Sequence, residues 1–154
     1  MPHSILTLAV ALFSLLSLMV APVFAEGTSD GSSTEAASAD VYAEAKALVD
    51  TGNFVAALPI LINLTKVDDQ NADAWNLLGF ANRMLGNKDD SAAAYLTVLA
   101  INPDHLGALE YQGELFLETG KPDLAKANLD RLKGLCGTCE EAEDLEKAIQ
   151  AAGV

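Results

Sequence analysis

Residues 72–105 read ADAWNLLGFANRMLGNKDDSAAAYLTVLAINPDH. Apolar residues recur at helical spacing on both sides of Leu85-Gly86-Asn87, so the stretch reads as two antiparallel helices joined by a tight turn. Trp75 and Leu78 supply bulk on the first helix, and Gly79 leaves a gap beside them. On the second helix Ser91 is small, Tyr95 and Val98 are large, and Pro103 stops the run. Gly52, Gly86 and Gly120 stand 34 residues apart, each where a left-handed helix stop is needed. Small residues return in the same register at Ala45, Gly79 and Gly113, and at Ala57, Ser91 and Ala125. Bulky ones return at Leu61, Tyr95 and Leu129, and at Leu64, Val98 and Leu132. The chain therefore holds three copies of one helix pair, over 38–71, 72–105 and 106–139.

Helices are expected over 39–51, 54–67, 72–85, 88–101, 106–119, 122–134 and 140–151. The seventh, EEAEDLEKAIQA, has one narrow apolar edge at Leu145, Ala148 and Ile149, which suits a helix that caps the last repeat within 140–154. Its acidic first turn suits the positive end of the helix dipole.

Ahead of the repeats, Ile5 to Ala25 contains no charge and ends in Val23-Phe24-Ala25. Residues 1–25 read as a signal peptide cut after Ala25, and Pro22 weighs against the rival reading of an uncleaved anchor helix. Localisation is accordingly expected to be exported, in a periplasm. Cysteine first occurs at Cys136, so no lipid anchor is expected at the new N-terminus. Residues 26–38, small and polar, read as a flexible linker.

The chain carries 22 acidic and 9 basic residues, a formal net charge of −13. That excludes nucleic acid as a natural partner, because its binders cluster Lys and Arg. The sequence has no G-x-S-x-G, no phosphate-binding loop and no H-E-x-x-H. No enzyme activity and no cofactor is expected.

The Trp, Leu-Gly, small residue, aromatic and Pro of 72–105 resemble the signature of the tetratricopeptide repeat. The resemblance covers about 38–151, and the ending LCGTCEEAEDLEKAI is similar to the close of some small exported bacterial repeat proteins. It implies an all-α, right-handed α-solenoid of three helix-turn-helix repeats plus a C-terminal capping helix. It also implies a non-catalytic scaffold that binds a protein or peptide segment in a concave groove lined by the first helix of each pair. Carried over residue by residue, the groove lining is Tyr42, Lys46 and Asp50, then Asn76, Phe80 and Arg83, then Glu110, Glu114 and Glu118. The last three lie four apart on one face and read either as an ordinary solvated face or as an acidic shelf for a basic segment, and Phe80 either as a contact to the next repeat or as an aromatic anchor. Some relatives clamp a terminal carboxylate with Lys, Asn and Arg. The matching positions here are Tyr42, Lys46, Leu77, Gly107 and Tyr111, none of which carries the expected residue. Carboxylate clamping is rejected.

Cys136 and Cys139 are the only cysteines, and in an exported chain they are expected to form a disulfide. The alternative function is a redox or metal-handling accessory acting through this pair. Two thiolates supply only half of a tetrahedral metal site. Cleavage after Ala25 predicts that the intact mass of protein purified from its native compartment begins at Glu26. A mass that retains Met1 or Pro2 would establish the anchor instead.

Overall fold

The computed structural model describes residues 30–154, with side chains from residue 38 onward. The signal peptide expected over 1–25 lies outside the described residues. Seven helices follow one another: α1 (Asp30–Asp50), α2 (Phe54–Val67), α3 (Ala72–Met84), α4 (Lys88–Ile101), α5 (Leu106–Glu118), α6 (Pro122–Cys136) and α7 (Glu140–Ala151). No strand occurs among the described residues. None of these helices is long and apolar enough to cross a membrane.

The turns inside the helix pairs are the glycine stops read from the sequence. Gly52, Gly86 and Gly120 have φ of 75°, 81° and 72°, a region that costs a side chain-bearing residue strain. Between pairs, polar side chains begin the helices. Asn71 caps α3 by accepting from the amide of Ala74, and the His105 ring caps α5 by accepting from the amide of Ala108. Because His105 Nδ1 accepts, its Nε2 carries the proton and donates to Asp73 at 3.0 Å, tying the cap of α5 to the first turn of α3. Trp75 packs between two core clusters and donates from its indole nitrogen to the carbonyl of Asp69.

The helix ends match the expected boundaries closely except at the first and sixth. Helix α1 starts at Asp30, nine residues before Ala39, so helix runs through most of the stretch expected as linker. Extending a helix already anchored by packing adds one hydrogen bond per residue and needs no new nucleus. Helix α6 runs on to Cys136, two residues past Gly134.

Each helix packs on its chain neighbour. The first helices also touch one another in turn, α1 on α3, α3 on α5 and α5 on α7, whereas α2, α4 and α6 do not touch each other. A row of helices in contact on one side and separated on the other must bend toward the contacting side. The first helices therefore line the inner face of an α-solenoid, and α7 takes the place of a fourth first helix.

The gap at Gly79 is filled by Tyr95. A Cβ at Gly79 would lie 2.6 Å from the Tyr95 ring, which is fully buried, so the ring rests on bare α3 backbone. The atoms that a side chain at Gly79 would meet first belong to Tyr95, one turn beyond the small Ser91 on α4. At Gly113 the atom in the equivalent place, also at 2.6 Å, is a methyl of Leu145, so the cap helix fills the third slot. Leu145 is fully buried with Leu109, Leu132 and Ala142, which makes α7 part of the core. Cys136 and Cys139 are joined at 2.02 Å across the turn into α7.

Two outcomes are expected. Gly79→Leu should lower stability by about 1–3 kcal/mol, the cost of overpacking, and more if the Tyr95 ring is expelled. Denaturant melts measure this; an unchanged midpoint would mean that α3 and α4 are paired differently. Reducing the disulfide should cost about 2 kcal/mol for so short a loop. The loss should fall on α7 while the first two repeats stay folded, which amide exchange resolves helix by helix.

Candidate functional site

The inner face divides into two regions of different chemistry. Near the N-terminal end a pocket of about 530 Å³ lies between α1, α3 and the start of α2. Tyr42, Lys46, Asp50, Asn76 and Phe80 line it, so five residues expected in the groove come together there. Phe54 and Tyr111 also line it. Phe54, Phe80 and Tyr111 form an aromatic row, with centroids 5.8 Å and 4.8 Å apart in sequence order. Phe80 is half-buried in the middle of this row, so one face is held and part remains available. Lys46 pairs with Asp50 at 2.7 Å on the exposed rim, an ion pair worth little in water. Asn76 is only 8% exposed, and its side-chain Oδ1 is buried with no hydrogen-bond partner.

The second region surrounds Arg83. Its guanidinium lies 5.4 Å from the Phe80 centroid and 5.8 Å from that of Tyr111, and its side chain is 10% exposed. It binds Glu114 at 2.5 Å and Glu118 at 2.8 Å, both on the next repeat. Lys88 also reaches Glu118, at 3.5 Å. Burial alone would lower the Arg83 pKa, but Glu114, Tyr95 and Glu118 more than offset it, so the group stays charged. Arg83 is thus a strut between the second and third repeats.

This corrects the expectation of a free acidic shelf at Glu110, Glu114 and Glu118. Glu114 and Glu118 spend their charge on Arg83, because a guanidinium desolvated between two rings requires carboxylate partners. Glu110 is 8% exposed, and α7 covers it. Burial, then Glu114, Asp144 and Glu141, raise its pKa to about 8 against the opposing pull of Arg83. Glu114 is raised as well, first by burial, with Arg83 pulling the other way. The Tyr111 phenol is pushed to about 12 by burial and then by Glu110.

Sequence reasoning missed Phe54, Glu141 and Asp144, and it named Tyr111 only as a clamp position without the clamping residue. The repeat register held a usable signal for one of them, since Asp144 stands 34 residues after Glu110. Phe54 opens a second helix, and Glu141 belongs to the cap, so neither falls under the first-helix rule. Among the described residues, no group of three or more His, Cys, Asp or Glu is arranged to hold a metal ion. The disulfide lies beside the third repeat, away from the aromatic pocket.

The Glu110 environment sets a pH dependence. Its folded pKa of about 8 stands above the ordinary 4.5, so between these values the folded chain holds a proton that the unfolded chain has released. Stability must fall as pH rises through that window. Glu110→Gln keeps the shape without the charge. Its thermal midpoint should match the wild type near pH 5 (about the unfolded value) and exceed it by a few degrees near pH 8 (about the folded one). Equal midpoints at both pH values would show that the carboxyl titrates like an exposed one.

Comparison with known proteins agrees with this architecture. The tetratricopeptide repeat family model matches residues 42–105 and 85–136. No curated protein matches the chain. Among solved structures, PcrH in complex with the chaperone binding region of PopD is similar, with a TM-score of 0.69 and 18% identity, over 77% of this chain and 92% of that one. The Yersinia enterocolitica type III secretion chaperone SycD, in complex with a peptide of the translocator YopD, has a TM-score of 0.64 and 17% identity, over 73% and 86%. The first repeat domain of Spaghetti (RPAP3), bound to the HSP90 peptide SRMEEVD, has a TM-score of 0.67 and 18% identity, over 76% and 94%. At these identities the likeness is one of fold. With its glycine stops, its small-residue slots and a family match that runs from α1 to the end of α6, the chain belongs to the tetratricopeptide repeat family.

Proposed function

We propose that this chain is an exported, non-catalytic interaction module that holds an extended segment of another protein against its first-helix face. The observation that carries this reading is Asn76. A buried amide oxygen without a partner costs about 1–3 kcal/mol, and the Asn76 Oδ1 sits in the wall of a pocket floored by aromatic rings. An extended main chain offers both a donor and an acceptor to such an amide, and a large apolar side chain suits the space between Phe54, Phe80 and Tyr111. The solved neighbours support the reading by analogy of fold, since PcrH, SycD and the RPAP3 domain were each captured with a protein segment. The net charge of −13 favours a segment with positive charge.

Crosslinking in the native compartment identifies the segment, and surface binding kinetics then test the face. Phe80→Ala should speed dissociation about tenfold or more, as loss of an aromatic anchor does. Asn76→Ala should weaken binding in the same direction. Leu96→Lys, a change at a 64% exposed residue of α4 on the opposite face, should leave binding unchanged. If the Phe80 and Asn76 variants fold and bind like the wild type, the segment does not occupy this face. Replacing Cys136 and Cys139 by Ser should leave binding largely intact; loss of function with binding retained would favour the redox accessory.

A further inference from the structure

Helices α2 and α4 each pack on α3 and do not touch one another, so a groove of about 430 Å³ runs between them on the outer side of the first two repeats. Trp75, Leu78 and Asn82 of α3 floor it, Leu58 and Ile62 form one wall, and Ala93 and Thr97 the other. Its polar groups are bonded within the chain. Trp75 donates to the carbonyl of Asp69, Asn82 to that of Leu78, Asn87 to the side chain of Asn82, and Thr97 to the carbonyl of Ala93. Asp90, where α4 begins, is the exception: among the described residues its side chain is in no ion pair and no hydrogen bond. The groove therefore suits an apolar surface that carries a cation at one end.

The face around the groove is itself such a surface. Val55, Pro59 and Ile62 stand exposed along one side of α2, and Ala93, Leu96 and Ala100 along one side of α4. Apolar side chains left in water over several turns mark a face that meets another molecule. Lys66 is the one charged residue of α2; it is exposed, and among the described residues it has no ion pair and no hydrogen bond. In α4 the charges stand together at the start, on Lys88, Asp89 and Asp90, and Lys88 is committed to Glu118. Helix α6, by contrast, carries Asp123, Lys126, Asp130, Arg131 and Lys133. Two chains of formal charge −13 meet with least repulsion where neither bears charge.

The face is complementary to itself. Both α2 and α4 turn back along α3, so they run the same way, and Ile62 and Leu96, 34 residues apart, stand at the same level. Asp90 lies six residues before Leu96, about 9 Å along the helix, and Lys66 four residues after Ile62, about 6 Å the other way. An anion and a cation thus flank an apolar centre from opposite ends, and a two-fold axis through that centre brings each against the other. We propose that the outer face of α2 and α4 is closed by the same face of a second copy of this chain, with Lys66 of each copy paired with Asp90 of the other. The inner faces of both copies stay open, so the pairing is independent of the segment-binding reading.

Sedimentation equilibrium over a concentration series tests this on the chain alone. The wild type should show monomer and dimer in exchange. Leu96→Lys, at the centre of the face on an exposed side chain, should raise the dimer Kd about tenfold or more, with the far-UV circular dichroism unchanged. Lys66→Asp and Asp90→Lys should each raise it about threefold, and the two together should return it toward the wild-type value, as a restored ion pair does. Phe80→Ala, on the inner face, should leave the dimer intact while it releases a bound segment, which keeps this outcome apart from that of the groove. A monomer at every concentration up to about 1 mM overturns the proposal. So does a dimer indifferent to Leu96→Lys, or a pair of charge reversals that do not rescue one another.

Discussion

Tyr95 lies on bare backbone at Gly79, and the geometry of the middle repeat depends on that contact. A missing side chain on α3 lets a large ring from α4 come within van der Waals distance of the helix axis, which sets the spacing of the pair. The ring is fully buried and touches the core of the next repeat through Tyr111, with centroids 6.5 Å apart. The same device recurs at Gly113, where Leu145 of the cap occupies the space. Packing of this kind is intolerant of added volume, since interiors are filled to near-crystalline density. Two glycines thereby control both the pairing of α3 with α4 and the docking of α7.

Electrostatics within the inner face follow from burial. Arg83 loses water to Phe80 and Tyr111, so Glu114 and Glu118 must come to it from the next repeat. The result is a charge-paired link between repeats at the centre of the groove. On the inner face, besides the Arg83 Nε within that link, unpaired polar groups lie toward the two ends. At one end it is the amide of Asn76 beside the aromatic row, and at the other it is the carboxyl of Glu110 under α7.

The helices were legible because the 34-residue register repeats the same physical demands three times. Positive-φ turns at Gly52, Gly86 and Gly120, close approaches at the small-residue slots, and polar caps at Asn71 and His105 each leave a local mark in the chain. The start of α1 was less legible, since the small polar residues before Ala39 favour disorder by composition yet continue a helix that packing anchors further on. In the site, Tyr42, Lys46, Asp50, Asn76 and Phe80, carried over from the resemblance to the repeat family, share one pocket.

What the sequence by itself determined is the repeat, its three copies and the capping helix. Those follow from spacing, which is a property of the chain alone. Only the tertiary structure decided which charges are free. Glu110, Glu114 and Glu118 are equivalent along α5, yet Arg83 takes two of them and α7 buries the third. Their fates differ because a carboxylate's state depends on the water and the cations around it, and those come from helices far away in the chain.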